Sequence, residues 1–225
     1  MVRTTSARRQ SLRLLVATQE SGMSIDSVFI VDDDEAIRDA LSWLFQSRGV
    51  PVRAFDSAEA FLTHWRTGMS GCLLLDIRMS GMSGLDLFDR LRDAQSSLQV
   101  IFLTGHGDVP MAVSALKKGA LDFVEKPFND NELVDRVIEA LAVAAQRRER
   151  EADSAGIASR LAALTARERQ VMDLVLAGKL NKVIADDLGI TMRTVEVHRA
   201  HVFEKMGVKT AVELAQLLSS FRAER

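Results

Sequence analysis

Short apolar runs alternate with stretches of helical periodicity over the first two thirds of the chain. Between the first two runs, Ile37, Leu41 and Phe45 recur at the spacing of one helix face. The runs themselves are nearly continuous and apolar, which is typical of strands that are buried on both faces of a sheet. They are SVFIV (27–31), PVRAF (51–55), CLLLD (72–76), VIFLT (100–104) and LDFVE (121–125).

The segments between and after these runs predict five helices. They cover residues 34–48, 57–65, a stretch around Leu85–Leu91, 109–118 and 129–145. Strand alternating with helix five times predicts an α/β fold, a doubly wound five-stranded parallel sheet with helices on both faces. Ligands of such sheets bind beyond the carboxyl ends of the strands, so polar residues at those ends are candidates for function.

The last third of the chain is helical in pattern throughout. Thr165 and Glu168 have the spacing of a capping box at the start of one helix. A short helix over Lys182–Leu188, a turn at Gly189 and a longer helix over Met192–Met206 follow. This is the plan of a helix-turn-helix, whose second helix enters the major groove of DNA. A fourth helix completes an all-α four-helix domain and contributes Leu214, Leu217 and Leu218 to its core.

Charge is distributed unevenly along the 225 residues. Residues 24–143 contain 11 Lys/Arg and 19 Asp/Glu, a net charge of −8, whereas residues 159–225 contain 11 and 8, a net charge of +3. An acidic first part and a basic last part indicate two domains with different partners. We therefore predict a disordered basic tail, a first domain, a linker that can be helical and a helix-turn-helix domain, at residues 1–23, 24–143, 144–160 and 161–225.

Composition places the chain among ordinary globular proteins, with 47% apolar and 27% charged residues. Its single cysteine, Cys72, excludes an internal disulfide and suggests a reducing compartment. No apolar run approaches the roughly 20 residues that span a bilayer. We expect a cytoplasmic protein with no membrane partner.

Acidic side chains follow the first and third apolar runs. If the strand order is 2-1-3-4-5, these two strands are neighbours, and Asp32 or Asp33 converges with Asp76 within a few ångström. Carboxylates packed this closely repel unless a cation lies among them, and Mg²⁺ suits oxygen ligands. Thr104 and Lys126 lie at the ends of the fourth and fifth runs. A hydroxyl, a cation, a metal and a carboxylate nucleophile can together hold a transferring phosphoryl group.

This set of residues, in this order at four strand ends, resembles the receiver domain of two-component response regulators, which has the CheY-like (flavodoxin-like) fold. The string TGHGDVPMAV (104–113) is close to that of FixJ-type receivers in particular. The resemblance implies that Asp76 accepts a phosphoryl group from a sensor histidine kinase in the presence of Mg²⁺. The Mg²⁺ ligands it implies are Asp76, Asp33 directly, Asp32 through water, and the backbone carbonyl of Arg78.

The same resemblance assigns roles in switching. Lys126, whose bond to Pro127 is cis in the family, would pair with the phosphoryl oxygens. Thr104 would swing toward the phosphoryl group, and the aromatic side chain of Phe123 would follow it. Two positions depart from the family pattern. Ser80 stands where many relatives have proline and Phe123 replaces a frequent tyrosine, and we expect neither change to touch the chemistry.

Residues 164–208 resemble the LuxR/FixJ/NarL-type DNA-binding domain, most specifically in the segment TVEVHR. By position, Glu196, Val197 and Ala200 would face base edges. A glutamate can accept from the amino group of cytosine, and valine or alanine can contact a thymine methyl group. Many relatives carry a basic residue in place of Glu196, so the preferred DNA site should differ. The other candidates for DNA contact are Lys182, Arg193, Thr194, His198, Arg199, Lys205 and Lys209.

The two resemblances together imply a phosphorylation-activated transcriptional regulator, not an enzyme beyond its own phosphorylation at Asp76. Phosphorylation would alter the surface Val109–Lys126, promote a homodimer and favour binding to a two-fold site on double-stranded DNA, with RNA polymerase as a further partner. One alternative is a phosphorylation-independent DNA-binding regulator that uses the receiver for dimerisation. The other is a Mg²⁺-dependent phosphatase with Asp76 as nucleophile, but Arg78 occupies the position where such an enzyme would need a general acid.

Overall fold

The structure is a computed structural model that describes residues 26–105 and 109–223. The tail predicted at residues 1–23 lies outside the described residues. The chain divides after Arg148 into two compact units. In the described ranges, no helix has both the length and the apolar character needed to cross a membrane.

The first unit contains a five-stranded sheet in which every neighbouring pair of strands is parallel. The strand order is β2-β1-β3-β4-β5, which confirms the predicted fold class. In register, Val31 of β1 lies beside Leu75 of β3, and Asp76 of β3 lies beside Leu103 of β4. The strands are β1 (Ser27–Val31), β2 (Val52–Phe55), β3 (Gly71–Asp76), β4 (Gln99–Thr104) and β5 (Asp122–Glu125).

Five helices follow these strands in turn. Helix α1 begins after Asp34, whose carboxylate accepts from the backbone N–H of Ala36. Helix α3 begins after Ser83, whose hydroxyl accepts from the N–H of Asp86. Both contacts satisfy backbone donors that have no partner within the helix. The helices are α1 (Glu35–Ser47), α2 (Ala58–His64), α3 (Gly84–Asp93), α4 (Val109–Lys117) and α5 (Asp130–Ala162). The predicted linker, residues 144–160, lies within the continuous helix α5.

The sheet separates two apolar clusters, because successive side chains of a strand point to opposite faces. On β1, Val28 and Ile30 pack in a cluster with residues of α1 and α5. Phe29 and Val31 pack in the other cluster with residues of α2, α3 and α4. All six residues of β3 are buried. The centre of the sheet is therefore covered on both sides by apolar side chains. Polar side chains that could take part in chemistry lie at the strand ends.

The second unit is formed by helices around two smaller apolar clusters. The capping box predicted at Thr165 and Glu168 is present at the start of α6. Gly189 takes a left-handed conformation, φ 65°, between α7 and α8, which suits a residue without a side chain. Thr191 then caps α8, accepting from Thr194. The helices are α6 (Ala166–Leu176), α7 (Asn181–Leu188), α8 (Met192–Met206) and α9 (Ala211–Ala223).

Candidate functional site

Three carboxylates meet at the carboxyl edge of the sheet. Asp32 directly follows β1 and Asp76 ends β3, and the pairing of these two strands brings their ends together. One oxygen each from Asp32, Asp33 and Asp76 lies within 4.8 Å of the others. Asp32 and Asp76 are buried, at 1% and 7% exposure, whereas Asp33 is exposed. The edge therefore concentrates negative charge where water is largely excluded.

Lys126 supplies a cation that contacts two of these carboxylates. It follows β5, its backbone N–H donates to the carbonyl of Thr104 at 2.7 Å, and its bond to Pro127 is cis. Its ammonium donates to Oδ2 of Asp32 at 2.7 Å and to Oδ1 of Asp76 at 2.8 Å. Lys126 thus bridges the ends of β1 and β3.

The pKa values at this edge reflect burial and charge together. Burial raises the pKa of Asp76, the hydrogen bond and charge of Lys126 oppose this, and the charges of Asp32 and Asp33 raise it again, so the net direction is upward. Burial alone would lower the pKa of Lys126, but its bonds to the two carboxylates raise it above the ordinary value. Lys126 is therefore an ammonium ion at neutral pH.

Thr104 places a hydroxyl group at the same end of the sheet as the carboxylates. It is the last residue of β4, one position beyond the residue that pairs with Asp76. The side chain is fully buried, and its Oγ1 has no hydrogen-bond partner among the described residues. A buried hydroxyl without a partner is unfavourable and calls for an explanation. Phe123, on the neighbouring strand β5, is partly buried against the apolar cluster on the α3 and α4 side.

Ser80 makes a contact that the sequence did not predict. It lies in the loop 77–83 between β3 and α3, and its backbone N–H and its hydroxyl both donate to Oδ2 of Asp33, at 3.0 and 3.2 Å. The expectation that the departure at Ser80 does not touch the chemistry stays a prediction, but Ser80 does contact a carboxylate of the cluster. A proline has neither donor, and that difference was the available signal. Arg78 lies in the same loop, two residues after Asp76.

The cluster has the chemistry of a Mg²⁺ site. Its donors are carboxylate oxygens, two of them held in place by buried strand ends, and hard divalent cations prefer oxygen ligands. The hydroxyl of Thr104 is a further oxygen at the same edge without a partner in the described part of the chain. The three carboxylates therefore fit Mg²⁺ as oxygen ligands.

The second unit presents a mostly exposed surface on α7 and α8. Glu196, Val197 and Ala200 are exposed on α8, so all three predicted base-reading residues lie at the surface. Among the other candidates, Thr194, His198 and Arg199 are partly buried. The exposed ones are Lys182, Arg193, Lys205 and Lys209.

Two of the candidate cations are engaged within the domain. The guanidinium of Arg199 donates to Oδ1 of Asn181 at 2.8 Å and lies over the ring of Phe203. The ammonium of Lys205 donates to Oε2 of Glu168 at 2.7 Å. Phosphate contact by either residue stays a prediction. Within the domain, Arg199 links α8 to α7 and Lys205 links α8 to α6. Sequence reasoning missed Asn181 as a partner, because no local pattern links it to α8.

Glu168 connects the start of α6 to the end of α8. Its carboxylate accepts from the backbone N–H of Thr165 at 2.8 Å as well as from Lys205, and it is buried at 4% exposure. The hydrogen bond from Lys205, followed by those from Thr165, lowers the pKa of Glu168 from 4.5 to about 2. Glu168 is therefore ionised and holds the two helices in a fixed relation.

Comparison with protein families gives one match in the first unit and one in the second. The family described as "Response regulator receiver domain" matches residues 28–138. The family described as "Bacterial regulatory proteins, luxR family" matches residues 162–218. The class is thereby defined: a receiver domain followed by a LuxR-type DNA-binding domain.

Individual relatives match over nearly their whole length. The chain is 50% identical over 193 residues to the C4-dicarboxylate transport transcriptional regulatory protein DctR of Rhodobacter capsulatus, covering 85% of this chain and 98% of DctR. It is 44% identical over 190 residues to the transcriptional regulatory protein FixJ of Bradyrhizobium diazoefficiens, covering 84% and 93%. The chain belongs to the two-component response regulators of the FixJ type.

Solved structures give the same result. The response regulator StyR matches with a TM-score of 0.82 at 40% identity, covering 86% of this chain and 98% of StyR. Full-length FixJ from B. japonicum matches with a TM-score of 0.54 at 41% identity, covering 89% and 99%. A receiver domain implies a histidine kinase as partner, a LuxR-type domain implies DNA, and receiver domains generally bind Mg²⁺ at the acidic pocket.

Proposed function

We propose that a sensor histidine kinase phosphorylates Asp76 and that this modification increases DNA binding by the C-terminal domain. The observation that carries the proposal is the placement of Asp76, which accepts a hydrogen bond from Lys126 and lies one register position from Thr104, whose hydroxyl has no partner among the described residues. In the transfer, an oxygen of Asp76 forms a bond to phosphorus. The P–N bond to the imidazole of the kinase breaks, and its electron pair stays on the imidazole nitrogen.

The other residues of the edge would support this transfer. Asp32, Asp33, Asp76 and the backbone carbonyl of Arg78 would hold Mg²⁺, which supplies positive charge beside the phosphoryl oxygens. Lys126 would pair its ammonium with the phosphoryl oxygens and offset their charge. The burial of Asp32 and Asp76 strengthens these interactions because it excludes water.

Phosphorylation would change the structure beyond the site through Thr104 and Phe123. It replaces the single charge of the carboxylate by about two and adds strong acceptor oxygens. The hydroxyl of Thr104 would turn toward them, Phe123 would repack, and the surface Val109–Lys126 would change and form a homodimer. Moving the equilibrium between the inactive and the active form of the receiver from about 1:99 to 99:1 requires roughly 5.5 kcal/mol of differential stabilisation.

The DNA-binding domain would then bind a two-fold site. Helix α8 would lie in the major groove with Glu196, Val197 and Ala200 toward the bases, and exposed cations such as Lys182 and Arg193 would contact phosphates. RNA polymerase is a further partner in this proposal. The proposal assigns the receiver to residues 24–143, the linker to residues 144–160 and the DNA-binding domain to residues 161–225.

The test is labelling by acetyl phosphate with Mg²⁺, followed by a DNA-binding measurement. We expect stable labelling of the wild-type protein, loss of the label in Asp76→Asn, and an increase in DNA affinity of about tenfold or more on phosphorylation. DNA affinity that does not change with the label would contradict the proposal and favour a phosphorylation-independent regulator. Rapid turnover of added phosphoester without stable label would instead favour a phosphatase.

A further inference from the structure

Two acidic side chains from outside the loop 77–83 hold it in place. Oδ2 of Asp33 accepts from the backbone N–H and the hydroxyl of Ser80, at 3.0 and 3.2 Å. On the other side, Oε1 of Glu59 accepts from the N–H of Met82 at 3.1 Å. Of these two acids, only Asp33 belongs to the carboxylate cluster. The contact with Ser80 therefore links the loop directly to that cluster.

This contact restricts the orientation of an otherwise exposed carboxylate. Asp33 projects into solvent at the end of β1, so without a partner its side chain would sample several rotamers. Two donors on one oxygen fix the carboxylate and leave its second oxygen available as a ligand. Hydrogen bonds of this kind to a metal-binding carboxylate orient it and raise its affinity for the ion.

The same contact places a second candidate ligand. Ser80 lies two residues after Arg78, whose backbone carbonyl would complete the Mg²⁺ site. Holding Ser80 against Asp33 therefore also holds the loop that carries this carbonyl near the end of β1. Part of the ordering that a bound ion would otherwise impose is already present in the protein.

We propose that Ser80 is a positioning residue for the divalent cation, acting through Asp33. The inference rests on the proposed Mg²⁺ site and adds a determinant of its affinity that is particular to this chain. A proline at position 80 would remove both donors, since it has no N–H and no hydroxyl. Alanine would remove only the hydroxyl, and threonine would keep both.

The experiment is a MgCl₂ titration of the ¹⁵N-labelled full-length protein at constant ionic strength, following the amide resonances of Asp76 and Thr104. We expect the dissociation constant for Mg²⁺ to rise about tenfold in Ser80→Pro, the lower end of the usual effect of such partners. Ser80→Ala should show a smaller rise in the dissociation constant, and Ser80→Thr should retain wild-type affinity. Glu59→Ala is the matched control, because it releases the same loop without touching Asp33.

The possible results separate this inference from the proposal on which it rests. Unchanged or tighter Mg²⁺ binding in Ser80→Pro and Ser80→Ala would overturn the role of Ser80 while leaving the Mg²⁺ site intact. A loss in Glu59→Ala as large as in Ser80→Pro would show that loop order, not the orientation of Asp33, sets the affinity. A wild-type titration that shows no saturable binding would instead remove the Mg²⁺ site itself. If Ser80→Pro does not fold, the comparison of Ser80→Ala with Ser80→Thr decides.

Discussion

Replacing Glu168 by alanine should destabilise the C-terminal unit by about 3 kcal/mol. The substitution removes a charge-assisted hydrogen bond from Lys205, of the kind worth about 1.5–3 kcal/mol. Among the described residues, that ammonium then keeps the carbonyl of Ala163 as its acceptor, at 3.3 Å. It also removes the half of the capping box that accepts from Thr165, which adds about 1 kcal/mol. These two losses sum to about 2.5–4 kcal/mol. Because Lys205 is partly exposed and can rehydrate, we expect a value in the lower half of that range, about 3 kcal/mol.

Glutamine at position 168 should cost less than alanine. Its amide oxygen can still accept from Thr165 and Lys205, so the loss is the difference between a charged and a neutral acceptor, about 1 kcal/mol. Glu204→Ala is the matched control, because Glu204 is exposed on the same helix that carries Lys205. A surface change of this kind should stay within about 0.5 kcal/mol.

The two units can be followed separately during urea unfolding. Both tryptophans, Trp43 and Trp65, lie in the first unit and the chain has no tyrosine, so tryptophan fluorescence reports on the receiver alone. Far-UV circular dichroism reports on the helices of both units. We expect Glu168→Ala to shift a dichroism transition while the fluorescence transition stays at the wild-type urea concentration.

The effect should also depend on pH in a defined direction. Because the folded pKa of Glu168 is about 2, below its ordinary value of 4.5, the ionised carboxylate stabilises the fold fully above pH 4.5. That contribution decreases as the pH falls from 4.5 toward 2, since the unfolded chain takes up the proton first. The difference between wild type and Glu168→Ala should be constant from pH 7 to 5 and smaller at pH 3.5. Equal stability of the two proteins at pH 7, or a difference that does not shrink on acidification, would refute this reasoning.

Two further substitutions, Gly84→Ala and Thr104→Val, test the receiver, and a third, Gly156→Ala in the second unit, is a control. Gly84→Ala should destabilise it by more than about 1 kcal/mol in thermal unfolding, because a Cβ at this position would lie 2.0 Å from the backbone oxygen of Asp76. Gly156→Ala, in a helix with no atom within 4 Å of the new Cβ, should instead be stabilising by about 0.5–1 kcal/mol, and a loss there equal to that at Gly84 would contradict the steric explanation. Thr104→Val should leave the unphosphorylated protein as stable or more stable, since it removes a buried hydroxyl with no described partner. The same variant should lose the gain in DNA affinity on phosphorylation, and retention of that gain in a gel-shift titration would count against the proposed switch.

Local patterns were sufficient to predict the type and order of the elements, but α5 continues to Ala162 where the sequence predicted a helix over 129–145. The run PVRAF predicted β2, and the strand begins at Val52 because Pro51 lacks an N–H and suits the start of an edge strand. Helix α8 has the predicted bounds, since Thr191 caps its start and Gly207 ends it in a left-handed conformation. The convergence of Asp32 with Asp76 could also be predicted, because it follows from strand order alone.

Contacts between distant side chains could not be predicted in this way. Ser80 and Asp33 are 47 positions apart, and Lys205 and Glu168 are 37 positions apart. Whether such groups meet depends on loop conformation and rotamers, and no periodicity in the sequence encodes these. Charge alone therefore predicted Lys205 as a phosphate contact, whereas the folded domain also gives it an internal carboxylate partner.

The hydroxyl of Thr104, which has no hydrogen-bond partner in the described part of the chain, indicates where the free energy of the proposed switch would arise. A buried hydroxyl without a partner costs about 1–3 kcal/mol, and a hydrogen bond from it to a charged phosphoryl oxygen would contribute about 1.5–3 kcal/mol. Together these amounts reach a large part of the roughly 5.5 kcal/mol that a nearly complete shift requires. Lys126 is in a different position, because its ammonium already has two carboxylate partners before phosphorylation. A bond from Lys126 to the phosphoryl group replaces an existing one, so its differential contribution is smaller than that of Thr104. Thr104, whose hydroxyl has no partner among the described residues before phosphorylation, should therefore determine how far phosphorylation shifts the equilibrium more than Lys126 does.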